Sequence, residues 1–140
     1  MHATAIAPID VLVVDDNQDA AQSMALLLQL LHHDVRACND GTSALAAVSE
    51  RRPQLILLDL GMPGMDGFEV ARRLRAEPGG ALVIVALSGW GQQTDRDRTT
   101  EAGFDRHLVK PVAAGELERL LDDVAAGRFT RDRDRNPAAG

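Results

Sequence analysis

The chain has 140 residues, 45% of them apolar and 26% charged, proportions of a single globular domain large enough for its own core. Its net charge of −6 disfavours nonspecific binding to nucleic acid or an anionic membrane surface. The lone cysteine, Cys38, excludes an internal disulfide, and the longest apolar run, Ala81 to Leu87, is too short to span a bilayer. No cationic segment with an apolar stretch follows Met1, so the expectation is a cytoplasmic chain with no membrane partner.

Residues 1–8 form a short N-terminal extension, and Ile9 to Val14 predicts the first strand. Asp19 to about His32 predicts a helix, with Met24, Leu27, Leu28 and Leu31 on one face. Val35 to Cys38 alternates as a half-exposed edge strand does. Asp40-Gly41 marks a turn, and Ala44, Leu45 and Val48 give a second helix. After Pro53, Gln54 to Asp59 predicts a third strand, and Gly61 to Gly67 a loop. Phe68, Ala71 and Leu74 line a third helix that ends at Pro78-Gly79-Gly80. Ala81 to Leu87 reads as a strand buried on both faces, and Arg106 to Val109 as a short fifth strand. Between them, Gln92 to Ala102 carries almost no apolar residue, which predicts a short, weakly anchored helix. Leu117, Leu120, Leu121 and Val124 define the last helix, and from Arg128 the composition is that of a disordered tail. The domain therefore spans residues 9–127, with 128–140 outside it.

Regular β-α alternation implies an α/β fold, a doubly wound parallel sheet of five strands with helices on both faces. Ligands of such sheets bind beyond the carboxyl ends of the strands. The polar residues fall there: Asp15-Asp16-Asn17 after the first strand, Asp59 after the third, Ser88-Gly89 after the fourth, Lys110-Pro111 after the fifth. Each has a plain structural use, since Asp pairs cap helices and Ser-Gly makes turns. Together they place three carboxylates, one hydroxyl and one ammonium in one crevice, and like charges in one crevice repel. All-oxygen ligands suit a hard divalent cation, Mg²⁺ foremost. Lys110 is the only lysine against fourteen arginines, and a compact ammonium fits a narrow phosphoryl pocket that a guanidinium fork does not. Metal, lysine and hydroxyl together equip a site for phosphoryl transfer, in which an aspartate can be the nucleophile.

Asp15-Asp16, Asp59 within Leu-Ile-Leu-Leu-Asp-Leu-Gly-Met-Pro-Gly-Met-Asp-Gly, Ser88-Gly89 and Lys110-Pro111 resemble the response-regulator receiver domains of two-component signalling, from about Ile9 to Ala126. The resemblance implies a flavodoxin-like sheet of order 2-1-3-4-5. It implies that Asp59 accepts a phosphoryl group from a histidine kinase or histidine phosphotransferase. Asp15, Asp16, Asp59 and the backbone carbonyl of Gly61 would hold Mg²⁺. Ser88 and Lys110 would bind the phosphoryl group, with Pro111 in cis behind the lysine. Phosphorylation would then switch the face made by the fourth crossover helix, the fifth strand and the last helix, for an unidentified downstream protein. The segments around Ser88 and Gly103 are closer to receivers attached to hybrid histidine kinases than to those of transcription factors.

The chain departs from the pattern at His107, where the family usually carries Phe or Tyr as the rotating switch residue. An imidazole there adds polarity and a charge that titrates near neutral pH, so pH-sensitive output is the expectation and an exposed histidine its alternative. Trp90, beside Gly89, would flank the crevice and tune loss of the phosphoryl group. Two other classes compete. A metal-dependent phosphohydrolase with an aspartyl nucleophile would carry a second Asp where this chain has Gly61, so turnover of external substrates, and enzyme status, are not expected. A receiver-like binding module that works without phosphorylation would have lost an acidic residue, and none is lost. No output domain follows, so nucleic acid is not an expected partner of this chain.

Overall fold

The computed structural model describes residues 8–60, 67–76, 82–89 and 101–127. Strands β1 (Asp10–Val14), β2 (Asp34–Cys38), β3 (Leu55–Asp59), β4 (Val83–Ser88) and β5 (Arg106–Val109) alternate with helices α1 (Gln18–Leu30), α2 (Gly41–Glu50), α3 (Gly67–Ala76) and α4 (Ala114–Ala126). All strand pairs are parallel, and the sheet order is β2-β1-β3-β4-β5, as the resemblance implied.

Side chains of successive strand residues point to opposite faces, so each central strand feeds two cores. Leu12, Val14, Ile56, Leu58, Ile84 and Ala86 pack on one face against Ala44 and Val48 of α2 and Phe68, Ala71 and Leu74 of α3. Val11, Val13, Leu55, Leu57, Val85 and Leu87 pack on the other against Ala21 and Leu28 of α1 and Leu117, Leu120 and Leu121 of α4. Every residue of β3 is buried, whereas edge strand β2 is half exposed, as its alternation predicted. Met24, Leu27 and Leu31 are only partly buried, so the apolar face of α1 centres on Leu28.

Two local readings change. Asp40-Gly41 is a helix start rather than a free turn: the Asp40 carboxylate accepts the Ser43 N–H at 2.7 Å, which caps α2 and holds the Asp40 carboxyl below its ordinary value. Gly67 is the buried first residue of α3 rather than the end of a loop. A Cβ there would lie 2.9 Å from the backbone oxygen of Asp59, so only glycine lets α3 start this close to the end of β3.

Arg75, near the end of α3, donates to the backbone oxygens of Leu82 at 2.7 Å and Gly103 at 2.8 Å and pairs with the Asp105 carboxylate. Asp105, 3% exposed, also accepts the Ile84 N–H at 2.9 Å. One guanidinium thus joins α3 to the entrances of β4 and β5. Of the apolar-poor stretch Gln92 to Ala102, only Glu101 and Ala102 are described; they are helical, and Ala102 is buried beside Phe104. The Pro78-Gly79-Gly80 helix end and the tail from Arg128 lie outside the described residues. Among the described residues, no helix is long and apolar enough to cross a membrane.

Candidate functional site

The carboxyl edge of the sheet gathers the predicted residues. Asp15 follows β1 directly, and three backbone or amide contacts hold it. Its N–H donates to the Cys38 oxygen at 3.1 Å, its own backbone oxygen accepts the Asn39 amide at 2.9 Å, and its carboxylate accepts the Asn17 N–H at 3.0 Å. Asn17 then caps α1 by accepting the Ala20 N–H at 3.0 Å, so one short segment both ends a strand and starts a helix. Asp59 ends β3 opposite Leu87 of β4, and the Leu60 N–H donates to the Leu87 oxygen at 3.0 Å. The Lys110 N–H donates to the Ser88 oxygen at 2.7 Å, which sets the lysine beside the end of β4.

Carboxylate oxygens of Asp15, Asp16 and Asp59 all lie within 4.8 Å of one another. Asp15 and Asp59 are buried, while Asp16 is exposed at the rim. The Lys110 ammonium sits 3.4 Å from Asp15 Oδ2 and 3.4 Å from Asp59 Oδ1, bridging the two buried acids. Burial pushes the Asp15 carboxyl above its ordinary value, the Asn17 N–H opposes this, the Asp59 charge adds to the rise and Lys110 offsets part of it. Among the described residues, three carboxylates face one ammonium there. The donors are all oxygens, two of them held on rigid strand ends, and this set fits a hard divalent cation that keeps part of its water shell.

Ser88 is 5% exposed, and its Oγ lies 2.6 Å from His107 Nε2. His107 is 8% exposed, so the exposed-histidine alternative is overturned. Its position on β5 turns the ring into the face shared with β4, where a solvent-facing ring was the alternative. The Lys110–Pro111 bond is cis. Gly89 is exposed, with open space around its Cα. Gly61 and Trp90 lie outside the described residues. Asn39 and Gly67 were missed as site-building residues, and Asn17, placed at the site, was given no capping role. Asn-x-x-Ala after Asp-Asp signals the cap, but the reach of Asn39 to Asp15 spans 24 positions and has no local signature.

Residues 11–122 match the model of the response regulator receiver domain. The DNA-binding response regulator MtrA of Mycolicibacterium paratuberculosis is 41% identical over 76% of this chain, which covers 47% of that relative. The chain thus spans about half the length of such relatives. An uncharacterized 14.6 kDa protein of Leptolyngbya boryana is 35% identical over 83% of this chain and 89% of its own length. The receiver domain of the sensor histidine kinase PA1611 from Pseudomonas aeruginosa, solved with a magnesium ion in its active-site cleft, superposes with a TM-score of 0.78 at 30% identity. That match covers 86% of this chain and 99% of the other.

Proposed function

This chain belongs to the response regulator receiver family, and we propose that Asp59 is the residue through which it takes a phosphoryl group from a phosphohistidine donor. The observation that carries the reading is the bridge of Lys110 between Asp15 and Asp59, with three acidic side chains converging on one point. Asp59 is buried at a strand end and offers a carboxylate oxygen as nucleophile. As the new O–P bond forms, the P–N bond to the donor imidazole breaks and the electron pair stays on that nitrogen. The negative charge spreading over the phosphoryl oxygens needs fixed positive partners. Lys110 supplies one, turning from Asp59 to a phosphoryl oxygen once the carboxylate has become an acyl phosphate. Ser88 supplies a hydroxyl. Asp15, Asp16 and Asp59, with the Gly61 carbonyl, would hold Mg²⁺, and the related PA1611 receiver has a magnesium ion in its active-site cleft. Bound there, such an ion would neutralise charge and orient oxygens.

Such a chain is a phosphoacceptor rather than an enzyme acting on outside substrates. Its donor is a histidine kinase or histidine phosphotransferase charged from ATP, which suits the cytoplasm. Leu26 and Leu30, 57% and 68% exposed, stand one turn apart on α1, the helix that starts beside Asp16, and give the donor an apolar strip. Substituting both by Asp should slow transfer from a protein donor and leave transfer from acetyl phosphate unchanged. The reading itself is tested by intact-mass spectrometry after incubation with acetyl phosphate and Mg²⁺. A gain of one phosphoryl group in the wild type and none in Asp59→Asn is the expected result. No gain from either small or protein donors would leave a binding module that works without phosphate.

A further inference from the structure

Ser88 and His107 stand on neighbouring parallel strands, in a register that pairs Ala86 with His107 and Ser88 with Val109. Alternation puts Ser88 on the same face as Ala86, and therefore on the face of His107. Both side chains are buried, and their polar atoms meet at 2.6 Å. Burial strengthens such a hydrogen bond and penalises any state in which the two atoms cannot share a proton. A phenylalanine in place of His107 would make no such bond.

We propose that His107 acts as a positioning residue that donates its Nε2–H to Ser88 Oγ, freeing the Ser88 hydroxyl proton for a phosphoryl oxygen on Asp59. This rests on the reading of Asp59 as the acceptor. A hydroxyl has one proton and two lone pairs. A phosphoryl oxygen only accepts, so Ser88 must spend its proton there. Oγ then has nothing left to donate, and it can stay 2.6 Å from Nε2 only if Nε2 carries a proton. A bare Nε2 would bring two lone pairs together. In the unphosphorylated protein the 2.6 Å contact itself is compatible with either direction. Phosphorylation selects one: Nε2–H to Oγ, and Oγ–H to the phosphoryl oxygen. Where the neutral resting ring carries its proton on Nδ1, that proton leaves for solvent and another arrives at Nε2. The ring keeps its proton count. Each link polarises the next, so the two bonds reinforce one another. The state of Asp59 is thereby written into the imidazole of β5 as the place of a proton, without requiring the ring to swing.

The test is nitrogen NMR of imidazole-labelled wild-type protein with Mg²⁺, before and after addition of beryllofluoride as the phosphoryl mimic. The His107 signals are assigned by their loss in His107→Phe. The expected result is a proton-bearing Nε2 in the beryllofluoride state, and a bare Nε2 there overturns the proposal. Affinity for beryllofluoride gives a second reading. His107→Phe should weaken it about fivefold, the worth of one net hydrogen bond. His107→Gln, which keeps an N–H donor, should lie closer to the wild type. Added to Ser88→Ala, His107→Phe should cost nothing more. A full loss in the Ser88→Ala background, or none in the Ser88 protein, overturns the relay. If fluorine NMR shows no bound beryllofluoride in the wild type, the acceptor reading falls and the relay with it. That outcome differs from a complex formed over a bare Nε2, which sinks the relay alone.

Discussion

At the amino end of the sheet, Asp10 faces two guanidiniums, Arg51 at 2.9 Å and Arg36 at 3.9 Å. At the carboxyl end, Asp15, Asp16 and Asp59 converge while one ammonium, Lys110, reaches two of them at 3.4 Å. Both ends belong to the same strands and the same cores. The first is what stability alone selects, with the acid outnumbered by cations and partly exposed. The second is costly, because buried like charges repel and desolvation raises the Asp15 carboxyl. The Mg²⁺ proposed for this end would relieve that cost by supplying positive charge.

The largest expected effect breaks the asymmetry by supplying that charge. Saturating Mg²⁺ should raise stability by about 2.7 kcal/mol at a hundredfold excess over Kd, read as the shift of a denaturant midpoint. Asp15→Asn should lose most of that response, and Asp10→Asn should keep it. Next comes Gly67→Ala, which forces a Cβ against the backbone of Asp59. It should cost about 2 kcal/mol in urea unfolding and weaken the Mg²⁺ response as well, since it displaces a ligand. A Gly67→Ala protein with an unchanged response would uncouple α3 from the site.

Without metal, the two ends should answer acid substitution with opposite signs. Asp10→Asn should destabilise by about 0.5 kcal/mol, the scale of an exposed ion pair, because Arg51 is largely in solvent. Asp15→Asn should stabilise, because it removes a buried repulsion. Measured midpoints of the two variants in chelator check both signs.

The smallest effect is in the pH profile. His33 lies near the amino end, where its Nδ1 accepts the Ile9 N–H at 3.1 Å, and burial holds its pKa below the ordinary 6.5. The unfolded chain therefore binds the proton first. Its contribution is fully present above about pH 6.5 and is lost as pH falls from there through the lowered folded value. Asp15 has the reverse sign in metal-free protein. Its raised folded value means that stability rises as pH falls through that value toward the ordinary carboxylate range. His33→Gln should flatten the first slope and leave the second, as followed by thermal melts in chelator between about pH 7.5 and 3.5.

Much of this was legible in the sequence, and for a local reason. Gln54 to Asp59, a short apolar run after Pro53 within regular β-α alternation, reads as a strand, and Asp59 at its end then falls on the carboxyl edge of the sheet. The sheet order came from family resemblance, since alternation alone permits other orders. What stayed hidden depends on distance in sequence. His107 meets Ser88 across 19 positions, Arg75 meets Asp105 across 30, and nothing in either short segment announces its partner. Gly67 escaped notice for another reason: a glycine in a glycine-rich stretch gives no sign which one lies against a backbone. The cap at Asp40 was visible but ambiguous, because Asp-Gly serves both turns and helix starts.

The Arg75 contacts have a mechanical consequence. Its bonds to Leu82, Gly103 and Asp105 fasten β4 and β5 where they enter the sheet. Ser88 is the last residue of β4, far from that clamp, whereas His107 lies only two residues past Asp105, at the root of β5. The strand that carries the hydroxyl is therefore a cantilever, and the imidazole it meets is mounted close to the post. A force applied at the acidic pocket then moves a compliant tip against a stiffly held ring.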